Sequence, residues 1–352
     1  PQYDVSVSVF LLVCQTNSNE ALEGVFKLVQ GYIDPRRIEK SDLFKTGIWL
    51  GSGVLGIPVL SYVLSYVTFY LYAIVFGISL QDAMMAIYND YILGNIVNVL
   101  LSVFVFIPLF ALAAIMLRCG NTLKQSFDRP AVSANLTWIC IVFALSVSLL
   151  GNIATNIFSS FTEIFFNVQP YQPSYGTDEE IGALPQMLIS VFCVSAAPAL
   201  LEEFAFRGVV LSAMRKFGDW PAILLSAILF SLMHGNFVQI PFTIFFGVAS
   251  GVITVVTGSI WPAVFVHFAN NLLAEFSAFM PSSIFAILFY GLIILGIVAY
   301  VNMQKSGVFQ TVRDVPSCLT RSKRILWVFT SPTMIIAVLL FLSEALQQFT
   351  VA

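Results

Sequence analysis

The chain has 352 residues, 58% of them hydrophobic, 14% aromatic and 10% charged, with a net charge of −3 and a mean hydropathy of +0.89. A soluble domain carries about 25% charged residues, so this chain lacks the charge to cover a water-facing surface of its size. A soluble enzyme, a disordered tail and a nucleic-acid binder are excluded, which leaves an integral membrane protein.

Residues 1–46 differ in kind from the rest. Lys27, Arg36, Arg37, Lys40 and Lys45 stand beside Asp4, Glu20, Glu23, Asp34, Glu39 and Asp42. The apolar run 5–13 is too short to span a bilayer and lacks the basic flank of a signal peptide. The segment reads as a cytoplasmic or interfacial appendage. Nine apolar windows follow, near 48–76, 92–117, 132–158, 184–206, 220–237, 241–257, 261–280, 284–303 and 325–346. Each approaches the ~20 apolar residues a spanning helix needs. The expectation is an all-α, polytopic transmembrane helix bundle of about 8–9 spans: three in 47–180, a core of spans four to seven in 181–283, and the rest in 284–352. Gly51, Gly53, Gly56 and Pro58, and later Gly247 and Gly251, predict close helix–helix approach. Cys14, Cys119, Cys140, Cys193 and Cys318 never form CxxC and read as small buried apolar residues.

Basic residues orient the chain. Of its 16 lysines and arginines, five precede the first window. Arg118, Lys124 and Arg129 follow the second, Arg215 and Lys216 the fourth, and Lys305, Arg313, Arg321, Lys323 and Arg324 the eighth. The loops between carry acids instead: Asp82 and Asp90, then Glu163, Asp178, Glu179 and Glu180. This one-sidedness places the N-terminus in the cytoplasm. Arg207, inside the fourth window, is the exception.

Three stretches put polar groups where lipid is expected. Leu200-Leu201-Glu202-Glu203-Phe204-Ala205-Phe206-Arg207 sets Glu203 and Arg207 at i,i+4, able to pair, with Glu202 about 100° round the helix and free to face a cavity. Pro198 removes a backbone hydrogen bond one turn earlier. Phe230 and His234 share a face in the fifth window. His267 and Asn271 share one in the seventh, with Glu275 a further turn on. Each stretch alone also reads as a rim charge or an interhelical hydrogen bond. Asn95, Asn98, Asn152 and Asn156 read as helix contacts. Together the three stretches hold both histidines of the chain. A carboxylate, imidazoles and an amide are the parts that activate water and stabilise an oxyanion.

The series Glu202-Glu203-x-x-x-Arg207, Phe230-x-x-x-His234 and His267-x-x-x-Asn271 resembles the CPBP (Abi) family of intramembrane proteases. That family includes type II CAAX prenyl endopeptidases and bacteriocin-processing or immunity proteins. The likeness covers about residues 184–280. It implies a conical cavity open to the cytosol, Glu202 as the base that activates water with His234 assisting, and His267 and Asn271 as oxyanion donors. Glu203 and Arg207 would shape the site, with Phe230 beside them. No metal is favoured; zinc held by His234, His267 and Glu202 is the alternative. The implied partners are the lipid bilayer and a peptide substrate, prenylated or carrying a leader; no nucleic acid is expected, and the residues name no protein partner. Two competing readings are a non-catalytic scaffold or immunity protein and a proton-coupled transporter.

One geometric demand follows. Trp220-Pro221-Ala222 and Trp261-Pro262-Ala263 both begin helices on the same side. His234 lies 13 residues past its proline and His267 only 5 past its own. At 1.5 Å per residue the two imidazoles differ in depth by about 12 Å, so to meet, the fifth span must begin lower or outside the bilayer, or the helices must tilt.

Overall fold

Long apolar runs satisfy every backbone hydrogen bond internally by folding as helices, and helices dominate this chain. The computed structural model describes residues 34–166, 168–170, 183–277, 280–347 and 349–351. The reading of residues 1–33, and of Asp178, Glu179 and Glu180, lies outside them.

Helix α1 (Pro35–Phe76) starts at Asp34, whose carboxylate accepts from the Arg36 amide. It is followed by α2 (Leu80–Asn89), α3 (Tyr91–Met116), α4 (Gly120–Ser126) and α5 (Ala134–Phe166). Next come α6 (Leu184–Phe217), α7 (Asp219–Met233), α8 (Gln239–Thr257) and α9 (Trp261–Ser277). The chain closes with α10 (Ser282–Ser306), α11 (Arg321–Phe329) and α12 (Pro332–Gln347). The described residues also contain one short antiparallel pair, β1 (Val168–Pro170) with β2 (Phe349–Val351).

Every apolar window holds a helix among the described residues, but fewer helices than expected are long enough to cross. Among the described residues six are long and apolar enough, and up to seven if α11 and α12 form one span bent by 83°. The expectation of 8–9 spans counted α7 and α9 as well. With 15 and 17 residues they reach about 22 and 25 Å, short of a hydrocarbon core of about 30 Å. Hydropathy sees the apolar run, not where the helix stops.

Without a hydrophobic drive between helices in lipid, small residues set the contacts. A Cβ on Gly247 would lie 2.8 Å from Ala227 Cα, and one on Gly251 3.0 Å from Ile223 Cγ2, so α7 and α8 touch backbone to backbone. Gly51 does the same for α1 against Met334 of α12, where a Cβ would sit 2.5 Å from the amide nitrogen. Gly56 lies against Leu109 of α3. The glycines do what their spacing predicts. Helix α8 also packs on α5, as does α10.

Many of the most deeply buried side chains, among them Arg207, Phe206, Phe230, Phe246 and Met214, lie in α6, α7 and α8, with Phe110 of α3 and Leu43 and Leu50 of α1 beside them in the core. At one end of these helices a polar rim ties the C-terminal segment down. Arg215 Nε donates to Asp219 Oδ1 (2.8 Å), and the Arg313 amide donates to Asp219 Oδ2 (2.9 Å). Arg324, 4% exposed, donates to the Phe217 carbonyl (2.6 Å), to Ser317 Oγ and to the carbonyls of Leu319 and Val315. Besides being one of the orienting basic residues, it serves as a buried clasp. Cys119 and Cys140 are buried free thiols and Cys193 is half-buried. Cys318 is disulfide-bonded, which departs from the reading of all five cysteines as apolar filler. The amide of Asn95, which is half-buried, donates to the Tyr91 carbonyl of its own helix at 2.8 Å.

Candidate active site

Helix α6 is not uniform. Its backbone widens to π-helical turns over Ser190–Ala196 and Phe204–Val210, with α-helical Ala197–Glu203 between them. Pro198 explains the first widening: it has no N–H to donate, and its ring would collide with the carbonyl four residues back. π-Turns inside α-helices concentrate at functional sites. Here they bracket Glu202 and Glu203.

Glu203 and Arg207 are fully buried and paired, with Arg207 Nη1 2.9 Å from Glu203 Oε1. Burying two charges is tolerable when they are paired and further bonded. The further partner of Glu203 comes from α9, where His267 Nδ1 donates to the same Oε1 at 2.9 Å. A carboxylate oxygen can only accept here, so this bond fixes the proton on Nδ1. The other ring nitrogen, Nε2, lies 3.8 Å from Glu202 Oε2. Glu202 is the partly open member of the group, with its side chain 17% exposed.

Aromatic rings enclose the charges. The Arg207 guanidinium lies 4.5 Å from the Phe230 ring centre and 5.3 Å from that of Phe246, which spreads its charge onto two π faces. Phe230 also touches both imidazoles, with ring centres 4.8 Å from His234 and 5.8 Å from His267. His234 Nδ1 lies 2.8 Å from the Phe230 carbonyl. A carbonyl only accepts, so Nδ1 carries the proton and Nε2 of the neutral ring keeps its lone pair.

The two histidines do reach one neighbourhood. Helix α7 begins at the polar rim, where Asp219 accepts from Arg215, and α9 begins at Trp261, whose indole donates to the Phe127 carbonyl at 2.9 Å.

Of the residues singled out by sequence, Glu202, Glu203, Arg207, Phe230, His234 and His267 form this cluster. Asn271 is half-buried and makes no hydrogen bond among the described residues. Its neighbour Asn270 is buried, and Asn270 Oδ1 accepts from Ser148 of α5 at 3.4 Å. Glu275 is half-buried. Phe246 escaped sequence reasoning: its window holds no ionisable residue, and its place beside Arg207 and His267 (4.8 Å between rings) depends on how α8 docks.

The cluster keeps unused polar capacity. Glu202 Oε2, Glu203 Oε2 and Arg207 Nε and Nη2 are buried without a hydrogen-bond partner. Unpaired buried polar atoms are rare and mark sites of function more often than sites of rest. Among the described residues no group of three or more His, Cys, Asp and Glu side chains is placed to hold an ion, so His234, His267 and Glu202 do not converge as a zinc ligand set.

The buried network of Glu202, Glu203, Arg207 and His267 is consistent with a catalytic site of the CAAX-protease type. No curated protein and no solved structure gives a significant match to the chain. Residues 184–273, about a quarter of the chain, match the family model of the type II CAAX prenyl endopeptidases, Rce1-like, and this stretch contains all of α7 and α8 and every member of the cluster.

Proposed function

We propose that this chain is an intramembrane endopeptidase that cleaves a peptide bond of a membrane-associated or lipidated peptide by water attack. The observation that carries this reading is the partly open Glu202, with an unpartnered Oε2, beside a histidine whose ring orientation is fixed by Glu203.

Glu202 accepts a proton from water as the water oxygen attacks the scissile carbonyl. His234, held through Nδ1 by the Phe230 carbonyl, presents Nε2 as a second proton acceptor. The tetrahedral oxyanion is met by the Asn271 amide and by His267, which donates through Nε2 when that nitrogen carries a proton. Collapse returns a proton to the leaving amine. Arg207 adds a positive field that Glu203 partly neutralises, and the Phe230 and Phe246 rings exclude bulk water from it. No step needs a metal.

The charge bias supports a cytoplasmic N-terminus and polar rim. Between that rim and the cluster lie Phe206, Val210, Met214, Ile223 and Leu225, each at most 1% exposed. Glu202 is partly exposed and His234 half-buried.

Peptidomics of membranes carrying the wild-type chain or Glu202→Gln tests the activity and finds the substrate together. Products present with the wild type and absent with an equally abundant, equally stable variant support the protease. Identical peptide profiles reject it.

A further inference from the structure

A second carboxylate outside the matched region stands against the His234 turn. Glu344, on α12, is the one charged residue of the apolar window 325–346. Gly235, which follows His234, takes a φ of +54°. A Cβ added there would lie 3.0 Å from Glu344 Oε2, 3.5 Å from Glu344 Cβ and 3.9 Å from Phe341 Cδ1. The C-terminal helix therefore closes over the turn that holds His234, and it brings its only acid to that point.

Glu344 is half-buried, and among the described residues it makes no hydrogen bond or ion pair. The acids of the cluster differ. Glu203 is met by Arg207 and His267, and Glu202 faces His267 within 4 Å. An ionisable group in an apolar helix is costly to keep and is a functional residue by default. Among the described residues this one has no hydrogen bond or ion pair, and it stands against Gly235, the residue that follows His234.

We propose that Glu344 receives a cationic nitrogen of the bound peptide, a lysine or arginine side chain or a free amino terminus, and so selects basic peptides for the site. The inference rests on the protease reading for its substrate class. The chemistry is a charge-assisted N–H to carboxylate bond, stronger at a half-buried position than in water. Neutral peptides leave this carboxylate unpaired and bind less well.

The test uses the full chain in lipid nanodiscs and a set of decapeptides anchored by a C-terminal alkyl amide. Paired peptides carry lysine or norleucine at each position in turn, with the amino terminus free or acetylated. Binding is read on Glu202→Gln protein by fluorescence anisotropy, and cleavage on the wild type. One lysine position, or the free amino terminus, is expected to tighten binding about tenfold over its neutral counterpart. In the Glu202→Gln/Glu344→Gln protein that ratio falls to about one. Glu344→Asp restores part of it, and Glu344→Lys turns the preference towards an aspartate peptide. A ratio near one on the Glu202→Gln protein, or one that persists with Glu344→Gln, overturns the inference. Charge-selective binding with no cleavage of any peptide would sink the protease reading and leave Glu344 as the cation site. Cleavage indifferent to charge would do the reverse.

Discussion

His267 Nδ1 lies 2.9 Å from Glu203 Oε1, while its Nε2 stands 3.8 Å from Glu202 Oε2. One carboxylate orients the ring and the adjacent one faces what the ring presents. The two glutamates therefore have separable effects. Glu203→Ala leaves Arg207 as an unpaired buried charge, at a cost of about 3–5 kcal/mol, and is expected to lower the unfolding temperature in detergent sharply. Glu202→Gln is expected to unfold close to the wild type and to lose cleavage. Equal unfolding temperatures for both variants would refute this division.

His234 is fixed through Nδ1 to the Phe230 carbonyl, so its contribution comes from Nε2. His234→Ala should lower kcat by about 10²–10⁴-fold, the usual range for a general acid–base group, with little change in KM. A variant that kept full turnover would remove His234 from the mechanism.

Gly247 is where α8 meets α7. A side chain there would strike Ala227 backbone and Cβ, at 2.8 and 2.9 Å, and would push Phe246 away from Arg207 and His267. Gly247→Leu is expected to cost about 1–3 kcal/mol in overpacking and to abolish activity without touching a polar residue of the cluster. Gly291, with open space around it, is the control position. If Gly247→Leu retained activity, the backbone contact would not be what places the rings.

The polar rim offers a pH test. The hydrogen bond from Arg321 holds the Asp314 carboxyl below its ordinary range. A depressed folded value stabilises the protein above the unfolded pKa and loses that contribution as pH falls through the folded one. The loss thus falls below about pH 4. The pair is half-exposed, so Asp314→Asn should cost only about 0.2–1 kcal/mol at neutral pH and flatten the acid limb of the unfolding profile. Arg324→Gln should cost more, about 2–4 kcal/mol, because the Phe217 and Val315 carbonyls and Glu39 lose a buried partner. A smaller loss for Arg324→Gln than for Asp314→Asn would show that the clasp is incidental.

Metal content gives a further check. No three ligating side chains converge among the described residues, so purified active protein should contain well under one zinc per chain and keep its rate after exhaustive chelation. Stoichiometric zinc that tracks activity would contradict the metal-free reaction.

Much of this was legible in the amino acids. Scarce charge fixed the class, and apolar length located each helix, because a chain in lipid must satisfy its own backbone. Spacing alone paired Glu203 with Arg207, since i,i+4 neighbours meet on any helix. The small-residue contacts followed from Gly247 and Gly251 for the same local reason. Tertiary structure decided the rest. Which glutamate takes His267, which asparagine is buried, how Phe246 comes to face Arg207, and that Glu344 reaches Gly235 all depend on the rotation and axial offset of helices far apart in sequence. Helix length was also decided there: α7 ends at Met233, at the turn through His234 and Gly235, short of the apolar run it occupies. Local periodicity specifies a helix and its faces; only the packed bundle specifies which faces meet.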